Sequence, residues 1–505
     1  MRRRLSPIAF CLALLLALIA PLSAQRSAAP NLAGFDQWVT SVMAEWKVPG
    51  LAVGAVQDGK VVFIKGYGLR DVEARLPVTP QTVMAIGSNS KSFTAVLMAM
   101  LADEKKLDWD TPVRTYLPDF RLYDEIATQE LTPKDLVTHR SGLPRHDNLW
   151  YGRPFTREQL FQRLRYLEPS ASIRSRYQYQ NLMFLAAGVL TERLTGRTWE
   201  QQLQERIFTP LGMSRASASA NDIVRAGDFA YPYMIRDGAV VRVPYRNIDA
   251  VGPAGSINAS VEDMLKYIQF RIDQGTSGGT RLVSEAQERL LQSPHMVSGA
   301  GFSYPELGLG NYGLGVGVST YRGHKIVSHG GGIDGFISAM SWLPDRKMGI
   351  MVVTNFSGDN PLPVMVMRTL YDRLLGAPAV DWAARERTES AQNQERQKRQ
   401  REARMAERKM GTSPSQSLAA YAGSYEHAGY GTLVVTVDGG KLTATLDPHR
   451  VSLDHFHYDV WEINDPGNIV PFGGRLQFLT NAKGEIDQVA FPLEPNVAAI
   501  RFTRK

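Results

Sequence analysis

The sequence predicts a mixed α/β (α+β) fold. One antiparallel sheet is closed by both ends of a large unit, a helical subdomain is inserted between its strands, and a small antiparallel β-barrel or sandwich follows at the C-terminus. Three observations carry this. β-rich segments stand near the start of the unit, from Leu51 to Ile64, and again at its end, from Ile326 to Thr354. The stretch between them, from Thr132 to about Tyr267, has mostly helical spacing broken by Pro and Gly. Beyond residue 416 the pattern changes to short strands separated by turn residues. A chain of 505 residues is long enough to bury the cores of two or three domains.

Taken in order, Arg2, Arg3 and Arg4 precede an apolar run from Ile8 to Ala20 and a small-residue exit at Leu22-Ser23-Ala24. This reads as a cleaved secretory signal over residues 1–24, and the run is shorter than the roughly 20 apolar residues a spanning helix needs. The mature protein is therefore expected in the periplasm or secreted, with no stable membrane insertion. The single cysteine, Cys11, lies inside that signal. Stability must then come from core burial without disulfides, and thiolate chemistry is excluded.

A unit from 31 to 378 follows. Phe35 to Trp46 has helical spacing. Leu51–Val56 and Lys60–Ile64 flank Asp58-Gly59, the dipeptide that suits a tight hairpin between twisted strands. Ser88 is expected to open a helix running through Leu97, Met100 and Leu101. Late strands are expected at Ile326–Ser328, Gly335–Leu343 and Met348–Thr354, with 344–347 as a turn. Residues 379–416 form a linker. Its part from Asp381 to Met410 carries nine basic and six acidic residues, ended by Gly411-Thr412-Ser413-Pro414. The formal charge of +7 becomes +4 when the three signal arginines leave. Much of that remainder lies in this mixed-sign segment, which has only Trp382 at its edge. Nucleic acid needs a basic face interleaved with aromatics, so a solvated linker helix is expected and nucleic acid is not a partner. In 417–505, strands are expected at 431–437, 441–446, 460–463, 475–479 and 486–491, between turns at Asp438-Gly439-Gly440, Asn464-Asp465-Pro466-Gly467 and Lys483-Gly484.

The chemistry concentrates in Gly87-Ser88-Asn89-Ser90-Lys91. Ser88 and Lys91 are three positions apart at a helix start, so a hydroxyl and an amine share one face. A serine is a weak nucleophile without a base. A buried lysine can be that base once its pKa is lowered. By itself this spacing occurs by chance on the order of once in a chain of this length and ordinary composition. Two further motifs support it. Tyr179-Gln180-Asn181 stands just before a helix near Leu182 and offers a proton relay and an amide. His329-Gly330-Gly331-Gly332 follows the strand ending at Ser328, where the glycines let a substrate lie against the edge and expose a backbone N–H.

With their flanks, these motifs resemble the serine β-lactamase-like family: class C β-lactamases, D,D-peptidases, D-aminopeptidases and related esterases. The resemblance spans most of residues 35 to 370. It includes Gly87 to Ala95, Lys106-Leu107-Asp108-Trp109-Asp110, Tyr116-Leu117-Pro118-Asp119, Asp135 to Pro144, Pro210-Leu211-Gly212-Met213, Tyr312-Gly313-Leu314-Gly315 and Gly335-Phe336. It implies Ser88 as the acylated nucleophile and Lys91 with Tyr179 as shared general base and acid. It implies Asn181 as the positioner of Lys91 and of the substrate carbonyl, and the N–H groups of Ser88 and Gly332 as an oxyanion hole. Gly330 and Gly331 would flank the substrate, and His329 would occupy the third-motif position. Class C β-lactamases carry lysine there. Histidine resembles the peptidase branches, and its charge change between about pH 5 and 8 is expected to appear in the activity profile. The terminal domain resembles a lipocalin-like domain through Tyr421-Ala422-Gly423-Ser424-Tyr425 and Tyr430-Gly431.

The function expected is an exported serine hydrolase acting through an acyl-enzyme on a small peptide, amide or ester. A D-amino-acid peptide is the first choice, and no metal or organic cofactor is required. Oligomerisation through the C-terminal domain is left open. The alternatives are a broad carboxylesterase, a class C-like β-lactamase, or a non-catalytic binding protein that keeps the fold. Gly308-Leu309-Gly310-Asn311-Tyr312-Gly313 has dinucleotide spacing but no preceding strand. Nor does a G-x-S-x-G elbow accompany the His329 glycines, as a lipase would need. Asp454-His455-Phe456-His457 lacks a third nearby metal ligand and reads as strand surface.

Overall fold

The computed structural model describes residues 32–299, 304–465 and 473–505. The expected signal segment, with Cys11, lies outside them. Helix α1 (Phe35–Glu45) leads into β1 (Gly50–Gln57) and β2 (Lys60–Asp71), joined by Asp58 and Gly59, both at positive φ. That conformation is what the hairpin reading required. The short β3 (Leu76–Pro77), β4 (Met296–Val297) and β5 (Asn311–Tyr312) are edge pieces. β6 (Gly317–Tyr321), β7 (His324–Ile333), β8 (Phe336–Leu343) and β9 (Met348–Thr354) complete a nine-stranded sheet. Its order is β4-β5-β6-β7-β8-β9-β1-β2-β3, so the last long strand of the unit pairs antiparallel with the first.

β1 and β9 are apolar up to their last residues, Gln57 and Thr354, because both faces are covered. Leu51, Val53 and Ala55, with Ile350 and Val352, pack into one core beneath α1 and α5 (Leu362–Leu374). Ala52, Val56, Met351 and Val353 point the other way, into the core shared with α2 (Ser90–Asp103), α3 (Asn181–Thr195) and α4 (Val261–Ile272). Period-two alternation splits one apolar strand between two cores. α2 and α3 are buried on nearly all sides and meet at the centre of the helical insert.

Two local expectations shift. Ser88 lies in a single 3₁₀ turn, Gly87–Asn89, and the α-helix begins two residues later, at Ser90. Strand β7 does not stop at Ser328 but runs through the glycines to Ile333, because β8 pairs with it over that whole length.

The second face of α2 is pinned by a buried ion pair. Arg271 Nε and Glu288 Oε1 are 2.9 Å apart with both side chains fully buried. Arg271 Nη1 also donates to Ser92 Oγ at 2.7 Å. Removing one partner of such a pair leaves an uncompensated buried charge. Glu288→Ala should cost roughly 3–5 kcal/mol of unfolding free energy, measured by urea denaturation; a loss below about 1 kcal/mol would contradict this.

Helix α6 (Trp382–Ala406) follows, with Trp382 and Ala383 buried and most of its remaining length exposed. The C-terminal strands β10 (Gly423–His427), β11 (Gly431–Asp438), β12 (Lys441–Leu446), β13 (His449–His457), β14 (Val460–Asn464), β15 (Arg475–Thr480), β16 (Ile486–Phe491) and β17 (Ile500–Arg504) form a closed barrel. Tyr425 pairs with Arg504 and Glu426 with Thr503 to shut it, so the fold is a barrel and not a sandwich. Closure removes the edge strands, and Tyr425, Leu433, Val435, Phe478, Val489 and Phe502 fill its interior.

Candidate active site

The 3₁₀ turn at Ser88 leads directly into α2, and Lys91, three residues on, is the second residue of that helix with its side chain fully buried. Lys91 Nζ stands 3.0 Å from Ser88 Oγ, 2.7 Å from Asn181 Oδ1 and 2.7 Å from the Ala254 carbonyl oxygen. Asn181 is the first residue of α3, and its Nδ2 donates to Asp147 Oδ1 at 3.0 Å. A carboxylate only accepts, so the amide oxygen must be the atom turned to Lys91.

Burial pushes the Lys91 amine well below its usual range, and Arg145 adds to this while Asp147 opposes it. A neutral amine has two N–H donors and one lone pair. The Asn181 and Ala254 oxygens can only accept and take the two donors. The lone pair is left facing the Ser88 hydroxyl, which is the geometry of a general base on a nucleophile.

Burial pushes the Tyr179 phenol up, with Ser88 beside it acting the other way, so it stays protonated. Its ring lies 4.8 Å from Lys91 Nζ and 4.9 Å from the Arg145 guanidinium carbon. The structure therefore brings Ser88, Lys91, Tyr179 and Asn181 into one cluster.

The glycines of β7 differ from one another. Gly332 lines the cavity with Ser88. A Cβ on Gly87, at φ +54, would stand 2.7 Å from the Gly332 nitrogen, so the nucleophile turn rests directly on this strand. A Cβ on Gly331 would meet the Ile86 carbonyl oxygen at 1.9 Å, and only glycine permits that approach. Gly330 is exposed, and a Cβ there would meet nothing nearer than 3.8 Å.

His329 points away from the Ser88 cavity. Its Nδ1 is 2.5 Å from the Gly330 carbonyl oxygen and its Nε2 2.9 Å from the Tyr312 hydroxyl. The carbonyl can only accept, so Nδ1 carries the proton and Nε2 accepts from Tyr312. The ring lies 6.3 Å from that of Tyr179. With Gly330, His329 borders a separate cavity of about 300 Å³ that reaches Met367 and Tyr371 of α5. Burial pushes His329 down to about 3. The titration between pH 5 and 8 expected of this histidine is thereby overturned, since it is neutral throughout that window.

The Ser88 cavity holds about 260 Å³ and is walled by Arg145, Asp147, Trp150, Tyr151, Asn181, Gly332 and Asp334, among others. Nothing in the sequence marks the loop from Arg145 to Tyr151, since the motif before it, Asp135 to Pro144, stops short of it. Arg145 Nε pairs with Asp147 Oδ2 at 2.6 Å. Trp150 Nε1 donates to Asp147 Oδ1 at 2.8 Å. Asp334 accepts from Tyr151 and Arg246. The barrel holds the same loop. The His146 N–H donates to Glu494 Oε2 at 2.8 Å, His146 Nδ1 is 2.8 Å from the Tyr430 hydroxyl, and Asn148 Nδ2 donates to the Leu493 carbonyl at 2.6 Å.

This fold and this class of site define a serine hydrolase on the penicillin-binding-protein architecture. The family model described as Beta-lactamase matches residues 35–370, and the chain belongs to that family. Residues 407–504 match a model described as a domain of unknown function (DUF3471), which spans the barrel. An unguisins hydrolase of Aspergillus violaceofuscus is 30% identical over 447 residues, covering 81% of this chain and 78% of that protein. A D-aminopeptidase of Brucella anthropi is 29% identical over 342 residues, covering 65% and 60%. The unguisins hydrolase of Aspergillus campestris is 33% identical over 347 residues, and the match spans 60% of its length. Among solved structures, the octameric penicillin-binding protein homologue from Pyrococcus abyssi superposes with a TM-score of 0.62 at 24% identity, covering 94% of this chain and 99% of that one. The D-amino acid amidase from Ochrobactrum anthropi SV3 gives 0.56 at 22%, covering 67% and 96%.

Proposed function

We propose that this protein is an exported amidase or peptidase that cleaves small D-amino-acid amides or peptides through an acyl-enzyme on Ser88. One observation carries the reading most: Lys91 is held by two obligate acceptors so that its lone pair meets the Ser88 hydroxyl. Lys91 takes the hydroxyl proton as Ser88 Oγ attacks the carbonyl carbon. The N–H groups of Ser88 and Gly332 receive the oxyanion. Tyr179, protonated and beside Ser88, gives a proton to the leaving amine. Water then hydrolyses the ester with the same groups in reverse. His329 serves as a support behind Tyr179 and does not touch the reacting atoms. The D-aminopeptidase relative supports the amide class, and its name supports the D configuration. Export rests on the three arginines and the apolar run, and predicts a mature N-terminus near Gln25 by intact-mass analysis; an uncleaved N-terminus on the native protein would refute it.

The substrate test uses D-phenylalanine p-nitroanilide, short esters and nitrocefin side by side. A neutral, buried His329 offers no charge to a β-lactam carboxylate. The D-amino-acid anilide should therefore be turned over faster than nitrocefin by at least about one order of magnitude. Efficient nitrocefin hydrolysis with anilides and esters untouched would return the chain to the β-lactamases proper. Esters cut without any amide would favour the carboxylesterase reading.

A further inference from the structure

His139 is fully buried, and the chemistry above leaves it without a task. It sits in a loop just after the short helix Pro133–Leu136, at φ +57, a conformation costly for most residues. Asp135 holds the loop in place. Its carboxylate, itself buried, accepts from Thr132 N and Oγ1, from Arg140 Nε at 2.5 Å and from Arg174 Nη2 at 2.7 Å.

The reason for this scaffolding lies across the loop. The Gln178 N–H donates to the His139 carbonyl oxygen at 2.8 Å. The Gln180 N–H donates to His139 Nδ1 at 2.9 Å. The two donors flank Tyr179 in the chain, so one residue grips the main chain on both sides of the tyrosine. The imidazole also packs against the phenol, with ring centroids 4.3 Å apart and planes tilted by 31°. Gln180 is fixed in turn, since its Oε1 caps α3 by accepting from the Leu182 N–H at 2.7 Å.

We propose that His139 is a positioning residue for Tyr179: its carbonyl oxygen and its Nδ1 bracket the tyrosine's backbone while its ring backs the phenol, holding the hydroxyl on Ser88. This rests on the reading of Ser88 and Tyr179 given under Proposed function.

The chemistry requires a neutral imidazole, because a protonated Nδ1 would set a donor against the Gln180 N–H. The surroundings ensure this. Burial pushes His139 well below its usual range, and the positive charge of Arg145 acts the same way. The proton then belongs on Nε2, which has no hydrogen-bond partner among the described residues. That nitrogen is on a ring enclosed by Tyr177, Phe184 and Tyr312. A core histidine kept only for packing would gain nothing from an acceptor aimed at the residue after the tyrosine. A buried N–H deprived of its acceptor is costly.

The test separates acceptor from ring in the full-length mature enzyme. Active sites are counted by fluorophosphonate uptake, and rates are expressed per labelled site. His139→Phe keeps the ring and loses the acceptor. His139→Asn tolerates the positive φ and keeps an acceptor oxygen. On D-phenylalanine p-nitroanilide, His139→Phe should lose on the order of 10- to 100-fold in kcat per site, as misplacement of a catalytic group does, with KM changed little. Its pH profile should shift, because Tyr179 no longer sits against Ser88 and Lys91. His139→Asn should recover most of the kcat. If His139→Phe yields no labelled protein, His139→Gly takes its place, since glycine accepts this φ without strain, and the same loss is expected. Wild-type kcat per site and an unchanged pH profile in the variant measured would overturn the positioning role. Absence of any Ser88 label in the unmodified enzyme would instead overturn the reading of Ser88 itself.

Discussion

Ser88→Ala is expected to slow hydrolysis of D-phenylalanine p-nitroanilide by about 10⁴- to 10⁶-fold, the range seen when a serine nucleophile is removed from a working cluster. The size follows from the geometry. Lys91 Nζ has three polar neighbours, and two of them, the Asn181 and Ala254 oxygens, cannot donate a proton to it. Ser88 Oγ is the one that can. Without it the neutral amine has no hydroxyl to activate, and no acyl-enzyme forms. The 260 Å³ cavity and its Gly332 wall remain, so substrate binding should survive while turnover does not. Intact mass after fluorophosphonate treatment checks this directly. One equivalent is expected on the unmodified protein and none on Ser88→Ala. A label that persists in the variant, with turnover within about 10²-fold of normal, would place the nucleophile elsewhere.

The second large effect concerns Lys91 and Tyr179. Lys91→Met keeps the buried stem and removes the base, whereas Tyr179→Phe keeps the ring and removes the hydroxyl. Each should lower kcat by at least the roughly 10²-fold typical of losing a general acid or base. The two groups meet at one hydroxyl, so the double variant should fall little below the worse single one. Multiplicative losses would mean that they act independently. The pH dependence has a definite sign. Lys91 works as the unprotonated amine, and burial pushes its pKa down. Activity should therefore rise with pH through the lowered Lys91 pKa and fall away on the acid side. That limb should vanish from the residual activity of Lys91→Met. The limb does not belong to His329, which stays neutral above about pH 3, so His329→Gln should keep it in place.

Much of this was legible in the residues because it is local. The three-residue spacing of Ser88 and Lys91 sets their shared face before any tertiary contact forms. The Asp58-Gly59 turn dictates the first hairpin. The alternating runs Gly431–Asp438 and Lys441–Leu446 declare barrel strands, since periodicity two is written along the chain. What the chain could not declare locally is which groups become neighbours after long loops close. Lys91 is held by Asn181, 90 residues away, and by Ala254, 163 away. The barrel shuts through Tyr425 and Arg504, at opposite ends of its sequence. The loop at Arg145–Tyr151 acquires its place from Glu494 and Tyr430 of the barrel, both of which hold His146. Histidine at position 329 carries a charge change near neutral pH as a free side chain, and loses it here. The reason is physical: ionisation is set by solvent and by nearby charge, and only packing decides how much of either a side chain keeps. Residue types and their spacing determined which chemistry this protein can carry. The tertiary structure decided the protonation state in which each group carries it, because desolvation belongs to the folded interior and not to any stretch of sequence.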